Sequence, residues 1–177
     1  MPITGMNLAS RRSALRLLLA AVGAAVLGQP LRALAGSDKD QITVWKSPAC
    51  GCCGEWVAHL QKSGFVVVTN DVKDTASVRQ KLGLPDKFAS CHTAQLGNYV
   101  IEGHVPAQEL RRLLREKPSA RGLAVPGMPT GSPGMEMAGP MAGSRDAHDV
   151  LLVLPDGNSR VYQSYSQSPP PKSSVKS

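Results

Sequence analysis

The chain has 177 residues, 42% of them apolar, and a basic excess of +7, which suits one modest folded domain and excludes a disordered chain. Residues 1–35 hold four of the 20 basic residues (Arg11, Arg12, Arg16, Arg32) and no acid. The other 16 face all 13 acids, a net of +3, so the charge of the remainder gives nucleic-acid binding no support.

In the first segment the arginines flank an apolar run from Leu17 to Leu27, and Ala33-Leu34-Ala35 follows. This is the order of a secretory signal peptide, and the run is too short to span a bilayer comfortably. Ser10-Arg11-Arg12-Ser13 resembles the twin-arginine type of bacterial signal, an ordinary export signal with two arginines being the alternative. Cleavage is expected after Ala35, leaving a periplasmic protein with no membrane attachment. Its one domain spans 36–166; residues 167–177, polar and Pro-rich, are expected to be disordered.

Ile42 to Trp45 reads as a strand, and a helix is expected over 54–63, with Trp56, Val57 and Leu60 on one face. The β-branched run Phe65 to Val68 predicts a buried strand. A second helix spans 75–82, before Gly83 and Pro85. Thr93 to Leu96 and Tyr99 to Ile101 read as strands joined at Gly97-Asn98. Pro106 opens a helix to Glu116 with Leu110, Leu113 and Leu114 inward. A Gly/Pro/Met-rich loop covers 122–146. Val150 to Leu154 and Val161-Tyr162, joined by the turn 155–158, predict a C-terminal β-hairpin. The order predicts an α/β fold, a thioredoxin-like sandwich with that hairpin and loop added.

Three of the four cysteines fall in Cys50-Gly51-Cys52-Cys53, between the first strand and first helix, and the fourth is in Cys91-His92. In the expected fold the loop carrying Cys91 faces that turn. Free amides and the dipole at a helix N-terminus favour thiolates, which serve as nucleophiles or as ligands for soft metals. Cys50 and Cys53 form a C-x-x-C pair, but Cys52 beside it would intercept a mixed disulfide. A structural disulfide with a spare thiol is the plainer alternative. Cu(I) and Zn(II) both take thiolates, and thioethers favour Cu(I), so Met128 and Met135 in the loop join the candidate set. Met137 and Met141 read as loop packing or exposed side chains. Cys50, Cys52, Cys53, Cys91 and His92 are the metal candidates, with His104 as a further ligand, a proton carrier or a turn residue. His59 and His148 are expected at the surface, and Glu136 as an exposed loop carboxylate. No catalytic residue stands out.

Five blocks carry a resemblance: Cys50-Gly51-Cys52-Cys53-Gly54 with Trp56, Ser90-Cys91-His92-Thr93-Ala94, Glu102-Gly103-His104-Val105-Pro106, Val125-Pro126-Gly127-Met128-Pro129, and Gly131-Ser132-Pro133-Gly134-Met135-Glu136. Together they resemble the CopG-type copper-resistance proteins, a bacterial family long catalogued as a domain of unknown function. The resemblance covers about 41–165. It implies a thioredoxin-like fold and Cu(I) held as a multinuclear thiolate cluster by Cys50, Cys52, Cys53 and Cys91, with His92 close by. It extends less directly to His104, Met128 and Met135. The expected function is periplasmic sequestration of Cu(I), or its transfer to an efflux or chaperone protein, with room for Cu(I)/Cu(II) redox handling. An envelope thiol–disulfide oxidoreductase is the alternative from another class, and a structural zinc module is a third.

Overall fold

The computed structural model describes residues 40–169. The expected signal segment, its cleavage point and residues 170–177 lie outside them. Seven strands form one mixed sheet: β1 (Gln41–Lys46), β2 (Val66–Asp71), β3 (His92–Leu96), β4 (Tyr99–Glu102), β5 (Gly122–Ala124), β6 (His148–Val153) and β7 (Ser159–Tyr165). Among the described residues three α-helices accompany it: α1 (Gly51–Lys62), α2 (Thr75–Lys81) and α3 (Ala107–Glu116). The strand order is β2-β1-β3-β4-β5-β6-β7; β1–β2 and β4–β5 are parallel and the other pairs antiparallel. Among the described residues no helix is long and apolar enough to cross a membrane.

Strand side chains alternate between two faces, and the core divides accordingly. Ile42, Val44, Ile101, Leu123 and Leu152 pack with Trp56, Val57 and Leu60 of α1 and with Leu110 and Leu113 of α3. Val100, Ala124 and Val153, each one residue out of phase with a member of that set, pack with Leu84 and Phe88 on the other face. The large aliphatic cluster thus backs α1, whose N-terminus carries the cysteines.

Three expectations are corrected. The helix after the cysteines starts at Gly51, so Cys52 and Cys53 lie in its first turn, with Cys50 as its N-cap. β2 is an edge strand and not a buried one: Val66 is 47% and Val68 41% exposed, the preceding Phe65 is buried, and Val67 is half-buried against the core. A short strand, β5, occupies the start of the expected loop, held between β4 and β6. β6 and β7 run antiparallel across a turn at 154–158. Ser168 exchanges two backbone hydrogen bonds with Arg145.

Candidate metal centre

The turn Ser47-Pro48-Ala49-Cys50 closes through Cys50 N–H donating to the Ser47 carbonyl at 3.1 Å. It delivers the chain from β1 into α1 with no side-chain cap. Apolar Trp56, Val57 and Leu60 hold α1 on the sheet, which fixes its first turn against the start of β3. There Cys91 and His92 enter, because β3 pairs with β1 in a register that sets His92 opposite Lys46. Cys50, Cys52, Cys53 and Cys91 consequently bring their sulfurs within 4.8 Å of one another.

Cys50 and Cys53 are joined as a disulfide in this state, and Cys52 and Cys91 are free thiols. This is the pairing of the plainer alternative, a disulfide with spare thiols: at the start of a helix an i,i+3 pair lies on one face, here with Cα atoms 5.4 Å apart, within normal disulfide reach. Cys52 Sγ is 3.6 Å from Cys50 Sγ, and Cys53 Sγ is 3.7 Å from the Cys91 carbonyl oxygen.

Cys91 also has two imidazoles around it. Its Sγ lies 3.3 Å from His92 Nδ1 and 3.1 Å from His104 Nε2. His104 Nδ1 is 2.7 Å from the Pro133 carbonyl oxygen. A carbonyl only accepts, so Nδ1 carries the ring proton and Nε2 turns its lone pair toward Cys91. Both histidines are fully buried. Trp56 packs on His92 with ring centres 4.3 Å apart and planes tilted by 38°, and donates its indole N–H to the Val105 carbonyl at 2.8 Å. Among the described residues His92 Nε2 has no hydrogen-bond partner.

Burial sets the protonation of this group. It pushes the Cys91 thiol up to about 12, with the charge of Cys52 adding to the effect. Burial drives His92 down to about 3, with His104 second. His104 is also lowered by burial, against the opposing pull of the Pro133 carbonyl. Cys91 is thus held as a thiol beside two neutral imidazoles, so a cation bound there displaces its proton. The donor set fits a soft ion: sulfur dominates, the two neutral imidazoles carry lone pairs, and carboxylates are absent from both ligand groupings among the described residues.

The other candidates scatter. Met128 is 56% exposed and Met135 half-buried; Met137 and Met141 are exposed. The loop that carries them is nonetheless anchored over the site. A Cβ on Gly134 would lie 2.7 Å from both the Cys52 carbonyl oxygen and the Trp56 nitrogen. Glu136 is exposed as expected and accepts from Gly134 N–H. His59 and His148 are half-buried instead of free at the surface: His59 Nε2 accepts from Ala107 N–H and His148 stacks on Tyr165. They line a separate cleft of about 450 Å³ with Glu136 and Tyr165. Among the described residues no three donors there converge closely enough to share an ion.

The sequence reading missed a buried carboxylate beneath Cys91. Glu102 is fully inaccessible; its Oε1 accepts from Ser90 N–H and its Oε2 from the Thr93 hydroxyl, both at 2.7 Å. Burial raises its pKa, and hydrogen bonds from Thr93 and Ser90 and the Arg79 charge oppose that. Its place in Glu102-Gly103-His104 is the one local signal that could have marked it.

Comparison with known proteins agrees with this site. The family model "Protein of unknown function, DUF411" matches residues 88–135, the stretch that holds Cys91, His92, His104, Met128 and Met135. No curated protein matches. Two solved structures of copper resistance protein CopG, forms 2 and 1, are 39% and 40% identical to this chain. Each alignment covers 71% of this chain and 97% of the other, with a TM-score of 0.66. The matched blocks and this coverage carry one conclusion: the chain belongs to the CopG copper-resistance family.

Proposed function

We propose that this protein binds Cu(I) in the periplasm through its cysteine cluster and sequesters it or hands it to an efflux or chaperone protein. The observation that carries this reading is the convergence of four sulfurs within 4.8 Å, with two neutral imidazoles on the fourth. Thiolates in that number suit Cu(I), and each can bridge two ions, so the cargo is a small multinuclear thiolate cluster. His92 and His104 complete the ligand set from the Cys91 side, and the exposed Met128 thioether is a first contact for incoming Cu(I). We read the β1-α1-β2 and β3-β4-α3 units as a thioredoxin-like sandwich and β6–β7 as its appended hairpin. That arrangement sets the cysteines at a helix N-terminus, where thiolates are stabilised.

The disulfide adds a redox step. Using all four sulfurs as ligands requires the Cys50–Cys53 bond to take up two electrons. A two-electron thiol reductant supplies them, and the two thiolates formed can then give one electron each to two Cu(II) ions, re-forming the disulfide and leaving two Cu(I). The cluster is therefore suited to interconverting the two copper states as well as holding one.

An envelope thiol–disulfide oxidoreductase is the second reading, favoured by that same disulfide in a C-x-x-C pair at the start of α1. The crowding of Cys52 and Cys91 opposes it. Insulin reduction separates the two: turnover that persists with a Cu(I) chelator present supports the oxidoreductase and sinks the pure copper-binding reading. Turnover absent under those conditions, together with tight copper uptake, supports the proposal.

A further inference from the structure

Cys91 and His92 form a dipeptide at the mouth of β3, and one carboxylate grips it from both sides. Glu102 Oε1 takes the backbone N–H of Ser90, the residue before the dipeptide, and Oε2 takes the hydroxyl of Thr93, the residue after it. Glu102 and Thr93 are both fully buried. The strand that carries Glu102 adds two more ties. Gly103 N–H donates to the His92 carbonyl, and the Glu102 carbonyl accepts from Val125 N–H, each at 3.0 Å. Gly127, two residues on, closes the ring by accepting the Ser90 hydroxyl and donating its N–H to the Ala89 carbonyl. There is no room for slack: a Cβ on Gly103 would lie 2.4 Å from the Val125 carbonyl oxygen and 2.6 Å from Ser90 Oγ.

The carboxylate is itself held from outside the cluster. Arg79 of α2, 5% exposed, reaches Glu102 Oε1 at 3.4 Å and is fixed in turn by Asp86 through Nε and Nη2. A buried ion pair is a poor way to stabilise a fold, since well-packed apolar residues commonly do as well. The partners of Glu102 other than Arg79 all lie on the Cys91 turn or tie it to the 125–127 segment. That distribution is what orienting a ligand requires, because groups that hydrogen-bond to ligating segments set their direction.

We propose that Glu102, anchored by Arg79, is a positioning residue that aims Cys91 and His92 at the cysteines of α1. The proposal rests on the copper-binding reading for its purpose, but its geometry is testable without metal.

The test uses the protein with the Cys50–Cys53 disulfide intact, where Cys52 and Cys91 are the two free thiols. Alkylation rates at each are followed by mass spectrometry in wild type, Glu102→Ala, Glu102→Gln and Thr93→Val. Gln can still accept from Ser90 and Arg79 while its amide donates to the Thr93 hydroxyl, so it keeps the clamp. The expected result is a change of about tenfold in the Cys91-to-Cys52 rate ratio for Glu102→Ala, restored by Glu102→Gln, with a Cu(I) affinity loss of about 10–100-fold in the reduced Ala variant. Parallel changes at both thiols, or a Gln variant as altered as the Ala variant, overturn the proposal. Should Glu102→Ala fail to fold, Thr93→Val, which removes one arm of the clamp at nearly constant volume, decides: an unchanged ratio overturns it. If wild type takes up no copper, the copper-binding reading falls, while the metal-free rate ratio still tests the positioning.

Discussion

Replacing Gly134 by Ala tests whether the Met-bearing loop is a working part of the site. Gly134 has φ +84, and its added Cβ would sit 2.7 Å from the Cys52 carbonyl oxygen, 2.7 Å from the Trp56 nitrogen and 3.2 Å from the Glu55 carbonyl carbon. All three are backbone atoms of α1 and cannot turn aside. The loop must retreat by roughly 0.5–1 Å to restore van der Waals contact, and Ala in the left-handed region costs about 1–2 kcal/mol besides. The neighbouring Pro133 carbonyl moves with it and releases His104 Nδ1, a buried donor whose loss of partner costs about 1–3 kcal/mol. The expected destabilisation is about 2–5 kcal/mol by urea denaturation, the size expected of a strained backbone position that also loses a buried bond. Imidazole ¹⁵N NMR reads the second effect: wild type keeps His104 protonated at Nδ1, and the variant mixes tautomers. A variant within about 0.5 kcal/mol of wild type, with the His104 tautomer unchanged, refutes the account of the loop.

Tyr162, 6% exposed, donates to Glu116 and has its pKa raised to about 12, chiefly by burial and then by that bond. The folded state holds this proton more tightly than the unfolded one, so its contribution is fully present below pH 10 and is lost as pH rises toward 12, by at most about 2–3 kcal/mol. Tyr162→Phe should show a shallower alkaline loss of stability than wild type in denaturation at pH 9 and pH 11; equal slopes contradict the assignment. Leu110 is fully buried between α3 and the sheet, so Leu110→Ala should cost about 2–5 kcal/mol in chemical denaturation, and a cost below about 1 kcal/mol means the core is packed differently. Copper uptake should depend on reduction: protein with the Cys50–Cys53 disulfide intact, assayed against a Cu(I) chelator, should hold fewer ions per chain than the four-thiol form. Equal capacities exclude Cys50 and Cys53 from the ligand set.

The cysteine cluster was legible because its information is local: three thiols in four residues, just before an apolar helical face. The exposure of β2 was not, since Val66-Val67-Val68 reads the same at the edge of a sheet as in its middle. Only the partner on the other side decides, and β2 has none among the described residues. β5 has three residues, too few to display a period, and exists because β4 and β6 bracket it. His104 could be suspected, but its proximity to Cys91 depends on the β3–β4 register and its tautomer on Pro133, 29 residues away. Glu102 was harder still. Its meaning lies in Arg79 on α2, in Ser90 just before β3 and in Thr93 on β3, and no spacing along the chain records that convergence.

The central claim is tested most directly by an anaerobic Cu(I) titration of the fully reduced protein against a competing chelator, with total metal counted. The account predicts tight uptake of more than one Cu(I) per chain, lost when Cys52 and Cys91 are changed to Ser. Weak uptake, or tight uptake that survives both substitutions, contradicts it.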